Sequence, residues 1–171
     1  MMNRFSIAAA AALFLSASGT SAEDYQLGSL VIESPYAFET TKTAQTAGGF
    51  MAITNIGETA DRLLAVEAAF PRVEIHTTEM DGDIARMIRQ DDGVEITPGE
   101  TLLLEPGSYH VMFMGLRGDP FEVDEQVPAT LVFENAGRVD IAFTVKARMA
   151  SGHGHMDHDE MDHGSEDHAG H

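Results

Sequence analysis

The 171-residue chain contains no cysteine. That removes any disulfide framework, so the core must hold itself together by packing alone. It also removes every thiolate-based site, including the blue-copper arrangement, which needs a Cys ligand. Basic residues are scarce, with 10 Lys and Arg against 28 Asp and Glu, for a formal charge of −18. Phosphate binding needs a basic surface, so nucleic acid is excluded as a partner, and anionic lipid fits poorly. Cations and basic protein patches are what such a surface attracts. Long hydrophobic runs are also missing beyond the N-terminus, so no stable membrane insertion is expected.

The N-terminal segment reads as a secretory signal. Arg4 supplies the positive region, Phe5 to Leu15 a short apolar stretch, and Thr20-Ser21-Ala22 the small residues before a cleavage point at Glu23. Residues 1–22 are therefore assigned to a signal peptide and the mature chain to an exported, periplasmic location. Removing them deletes one arginine and no acid, so the charge moves from −18 to −19.

From residue 23 to residue 148 the pattern is β throughout. Arg138 to Val145 alternates strictly, with Val139, Ile141, Phe143 and Val145 on one side, and Val127 to Phe133 does the same. Further strand-like segments are SLVIES, GFMAITN, DRLLAVEA, RVEIHTTEM, IARMIRQ, TLLLEP and YHVMFMGL. Turn signals such as Asp81-Gly82, Asp92-Gly93, Pro98-Gly99 and Pro106-Gly107 punctuate them. Many short strands at this spacing predict an all-β fold, a sandwich or Greek-key barrel.

Composition changes abruptly after Met149. Residues 151–171 hold six histidines, two methionines and six acids, with almost nothing to bury. Residues 149–171 are expected to form a flexible, metal-binding tail. Its candidate ligands are His153, His155, Met156, His158, Met161, His163, His168 and His171. Imidazole with carboxylate suits Cu(II), and also zinc or nickel. A flexible chain of that length reaches about 25 Å, far enough to return over the folded domain.

Only two histidines, His76 and His110, lie in the folded part, each in a predicted strand. If Asp81-Gly82 is a two-residue type I′ loop, Met80 pairs with Asp83 and His76 falls directly opposite Met87. Opposed residues have Cβ atoms about 4.5–5.5 Å apart, so both side chains could reach one ion. His110 and Met112 share a face roughly 6.8 Å apart along their strand. Met80 and Met114 have the same parity but lie four residues from their histidines, and Met51 has no spacing argument. These three are assigned to packing. His76, Met87, His110 and Met112 form a His2Met2 set, and imidazole with thioether favours Cu(I) over zinc, calcium or magnesium. No catalytic triad or nucleophile elbow is visible, so no enzyme is expected.

The order His76, ten residues, Met87, then His110-Val111-Met112 resembles the periplasmic copper chaperone family PCu(A)C, whose pattern is H-x10-M-x21-H-x-M. Here 22 residues rather than 21 separate Met87 from His110. The likeness extends from about Leu30 to Val145 through GGFMAITNIGETADRLLAVEA, VEIHTTEM and EITPGETLLLEPGSYHVMFMGL. It implies a cupredoxin-like barrel and Cu(I) binding at the four residues. It also implies delivery to an acceptor, such as the copper A centre of cytochrome c oxidase or an assembly factor. The alternatives are a periplasmic copper buffer without a dedicated acceptor, and, less favoured, a copper redox enzyme.

Overall fold

The computed structural model describes residues 23–148. The signal peptide and tail expected at 1–22 and 149–171 lie outside the described residues. Within them there are eleven strands and no helix: β1 (Tyr25–Leu27), β2 (Leu30–Phe38), β3 (Thr46–Asn55), β4 (Asp61–Ala68), β5 (Arg72–Asp81), β6 (Ile84–Arg89), β7 (Val94–Ile96), β8 (Thr101–Leu104), β9 (His110–Met114), β10 (Gln126–Phe133) and β11 (Arg138–Lys146).

The all-β expectation holds, and the strand-like segments read from the sequence fall on nine of these elements. The other two, β1 and β7, have three residues each, too few to display a period. The strands form one path in the order β6-β5-β9-β3-β2-β11-β10-β4-β7, with β1 added on β2 and β8 on β3. Every pairing is antiparallel except β11 with β2. The two ends of the path, β6 and β7, are not joined, so the sheet is open and mixed. It curls back on itself, which brings β4 against β5 and β3 against β7.

Alternation decides which side chains enter the core. Ile32, Ile53, Leu63, Val111, Phe113, Leu131, Phe143 and Val145 are all fully enclosed. Phe113 is the hub, edge-on to Phe70, Phe121 and Phe143 at 5.2–5.5 Å, a geometry favoured by the ring quadrupoles. Met51 is buried in this core, as its assignment to packing anticipates.

Two buried polar groups fix the connections. Asn55 donates to the Thr59 and Ile96 carbonyls and accepts from the Gly57 N–H. The Asp61 carboxylate accepts from the backbone N–H groups of Arg62, Asn135 and Ala136. Each would be costly to bury without these partners.

β9 places the site. Val111 and Phe113 point into the core, and Val111 is matched across β5 by Ile75. His110, Met112 and Met114 therefore occupy the opposite face of the same strand. The alternating methionines of this segment are not core filler, and Met114 lies beside the Arg72 guanidinium, with Nε 3.0 Å from Sδ.

Candidate metal centre

The β5–β6 hairpin corrects the expected register. Asp81 pairs with Ile84, Thr78 with Met87, and His76 with Arg89. The loop is Gly82-Asp83 rather than Asp81-Gly82. Gly82 adopts φ +62° and Asp83 has no positive φ, the pattern of a type II′ turn with glycine at its first central position. The shift is two residues, so parity survives. His76 and Met87 share a face but sit diagonally, not directly opposite. Met87 is 59% exposed on a strand that forms one end of the sheet path. Met80, assigned to packing, is 66% exposed on the same hairpin, because the hairpin extends beyond the core.

The residue that does face His76 across β5 and β9 is His110. Their ring centroids are 5.9 Å apart with the planes at 67°. Both are nearly enclosed, at 9% and 5% exposure. His110 Nδ1 lies 3.0 Å from the Ser108 carbonyl. A carbonyl can only accept, so Nδ1 carries the proton and donates. The same carbonyl receives the Thr78 backbone N–H, which ties this ring to β5.

His76 Nε2 lies 2.8 Å from Glu74 Oε2. The hydrogen bond from His76 holds the Glu74 carboxyl below the ordinary carboxylate range, and the charges of Arg89 and Arg72 act the same way against the opposing cost of burial. Glu74 is thus the ionised acceptor, and Nε2–H donates. What remains is one buried nitrogen on each ring, His76 Nδ1 and His110 Nε2, without a partner among the described residues. Buried polar atoms are nearly always satisfied, so two orphans on facing imidazoles call for a ligand. Metal-bound histidines have this same arrangement, with the distal N–H given to a carboxylate or backbone carbonyl.

Met112 extends the site along β9, opposite Glu74 on β5 and Gly48 on β3. An open cleft of about 270 Å3 is lined by His110, Met112 and Met87, together with Phe50, Thr40 and Arg148. The structure thus brings His76 beside His110, and His110, Met112 and Met87 to one cleft. Among the described residues no three His, Asp or Glu side chains converge as a metal site. The residues Met87 and Met112 line the same cleft, and thioether is a donor that suits soft ions. The eight tail residues proposed as ligands lie outside the described residues, but Arg148, the last of these, lines the cleft. Sequence reasoning missed Glu74, the Ser108 carbonyl and Phe50. Glu74 could have been found, since it stands two residues before His76 and must share its face.

Residues 30–145 match the family model LpqE-like, described as "Putative lipoprotein LpqE-like". The chain belongs to the LpqE-like family. A relative from Leifsonia xyli subsp. xyli, "Putative lipoprotein Lxx21020", is 32% identical over 82 residues. That match covers 48% of this chain and 49% of the relative, so the chain spans about half the length of the curated relative it matches. Among solved structures, the apo PCuAC domain from PmoF1 superposes with a TM-score of 0.63 at 28% identity, covering 74% of this chain and all of that one. The copper-bound PCuAC domain from PmoF2 gives 0.58 at 26% identity, with 74% and 99% covered. This LpqE-like chain therefore has the PCuAC fold, as its resemblance to that family implies.

Proposed function

We propose that this LpqE-like chain is a copper carrier that takes Cu(I) as its cargo and surrenders it to an acceptor protein without chemical turnover. The observation that carries this reading is the pair of unpartnered nitrogens, His76 Nδ1 and His110 Nε2, on directly opposed residues. Met112 and Met87 line the cleft that His110 also lines. Neutral imidazole and thioether ligands match a monovalent soft ion. An exposed Met87 is the ligand an incoming acceptor could displace first, which allows transfer by ligand exchange. The similarity to a copper-bound PCuAC domain supports copper as the cargo.

The acceptor proposed is the copper A centre of cytochrome c oxidase or an assembly factor for it, reached outside the cytoplasm after cleavage of residues 1–22. Among the described residues no helix is long and apolar enough to cross a membrane. The relatives are described as lipoproteins, whereas this sequence holds no cysteine to which a lipid could be attached.

The tail is assigned a recruiting role. Its histidines and methionines, His153 through His171, would gather copper, Cu(II) included, and raise its concentration near the cleft. The position of Arg148 on the cleft wall supports this, because the tail then starts at the rim of the site.

Cu(I) titration of the mature protein against a competing chelator tests the reading, run beside His110→Ala and a form lacking residues 151–171. Tight binding that survives tail deletion and is lost with His110→Ala is expected. Unchanged affinity of His110→Ala in the tail-less background would overturn the site. Unchanged uptake from dilute copper after tail deletion would remove the recruiting role alone.

A further inference from the structure

Glu74 occupies an unusual position for a carboxylate on a sheet face. Its side chain is only 8% exposed. It stands two residues before His76 and directly opposite Met112. Both of its oxygens are committed. Oε2 accepts from His76 Nε2 at 2.8 Å, while Oε1 is 3.0 Å from Arg89 Nη1 and 3.5 Å from Arg72 Nε. Arg89 is the cross-strand partner of His76, and Arg72 that of Met114. The carboxylate therefore lies between two guanidinium groups, a hydrogen bond from Arg89 and the charge of Arg72, which favour the orientation that meets the ring.

A neutral imidazole exchanges its proton between its nitrogens freely unless one of them is fixed by a hydrogen bond. At His110 the Ser108 carbonyl does the fixing, and at His76 only Glu74 does. The two rings are fixed in opposite senses. His110 is protonated on Nδ1 and presents Nε2, whereas His76 is protonated on Nε2 and presents Nδ1. Resting on the copper reading above, we infer that Glu74 is the positioning residue of this centre: it sets the His76 tautomer, so that His76 meets Cu(I) through Nδ1 and His110 through Nε2. An anionic acceptor behind the ring also makes the presented nitrogen a stronger donor.

The test begins with metal-free, 15N-labelled mature protein. Long-range 1H–15N correlation reads the tautomer of each ring, and the His76 signals are identified by their loss in His76→Ala. Nε2–H is expected at His76 and Nδ1–H at His110. In Glu74→Ala, His76 should redistribute toward Nδ1–H while His110 is unchanged, and Cu(I) affinity should fall about 10–100-fold. Glu74→Gln, whose amide oxygen can still accept from Nε2, should keep the tautomer and recover part of the affinity. A wild-type His76 protonated on Nδ1 overturns the inference without any variant, as does Glu74→Ala with tautomer and affinity unchanged. Failure of the wild type to bind Cu(I) strikes the copper reading instead, and the tautomer spectrum still decides what Glu74 does.

Discussion

The imidazoles of His76 and His110 face each other from directly opposed positions of two antiparallel strands, with centroids 5.9 Å apart. Each keeps one buried nitrogen free. Register, not loop placement, sets this distance, and strand pairing is anchored in the core by Ile75 and Val111 one residue along. The site is thus tied to the core at its histidines and exposed to solvent at Met87.

Loss of either imidazole should be the largest single effect on copper. In a form lacking residues 151–171, His110→Ala is expected to weaken Cu(I) binding by at least about 100-fold, since even outer partners of metal ligands are worth about 10–100-fold. Competition with a colorimetric Cu(I) chelator measures it. A weaker effect than that of Met112→Leu would mean His110 is not a principal ligand.

Met87 should separate binding from folding. It lies 59% exposed on β6, where every residue is exposed. Met87→Leu should leave stability within about 0.5 kcal/mol, as surface substitutions usually do. It should nonetheless weaken Cu(I) binding and speed its loss to a competing chelator in stopped-flow, since weaker binding shows mostly as faster release. Equal urea midpoints beside different copper affinities is the expected pair of results.

Much of this fold was legible because β10 and β11 have one face in the core and so alternate cleanly. Register was harder. Asp81-Gly82 and Gly82-Asp83 are both acceptable two-residue loops, and nothing in the local composition chooses between them. The choice is made by the whole hairpin, and the alternatives differ by two residues, which is why the shared face of His76 and Met87 was readable and their direct opposition was not. The pairing of His76 with His110 was out of reach for a different reason. It depends on how β5 meets β9, a contact between segments 34 residues apart in sequence with no turn to set it. Glu74 was readable in principle from its spacing, but its capture by Arg72 and Arg89 depends on that same pairing.

Acid should destabilise the metal-free domain through Glu74. Its carboxyl is held below the ordinary value of 4.5 by the His76 hydrogen bond first, then by Arg89 and Arg72. A depressed carboxyl contributes stability that is fully present above the unfolded value and is lost as pH falls through the folded one. Urea unfolding of the metal-free protein should therefore show stability declining below about pH 4.5. Glu74→Gln should flatten that decline relative to wild type. Parallel pH profiles for the two proteins would show that the carboxylate carries none of it.

The wall of the cleft is closely packed at Gly48. Gly48 pairs with Met112, and a Cβ added there would lie 2.9 Å from Phe50 Cζ, closer than such contacts allow. Phe50 has little room to retreat, since Tyr36 and Phe38 pack against it at 5.2 and 5.8 Å. Its ring also lines the cleft with Met87, His110 and Met112. Gly48→Ala should thus push the ring toward the cleft, with an overpacking cost of about 1–3 kcal/mol. Cu(I) binding should weaken as well, although no ligand has been touched. Phe50→Leu placed on Gly48→Ala makes space for the new methyl and should restore both properties together. Restored stability without restored copper binding would mean that Phe50 supports the sheet and takes no part in shaping the site.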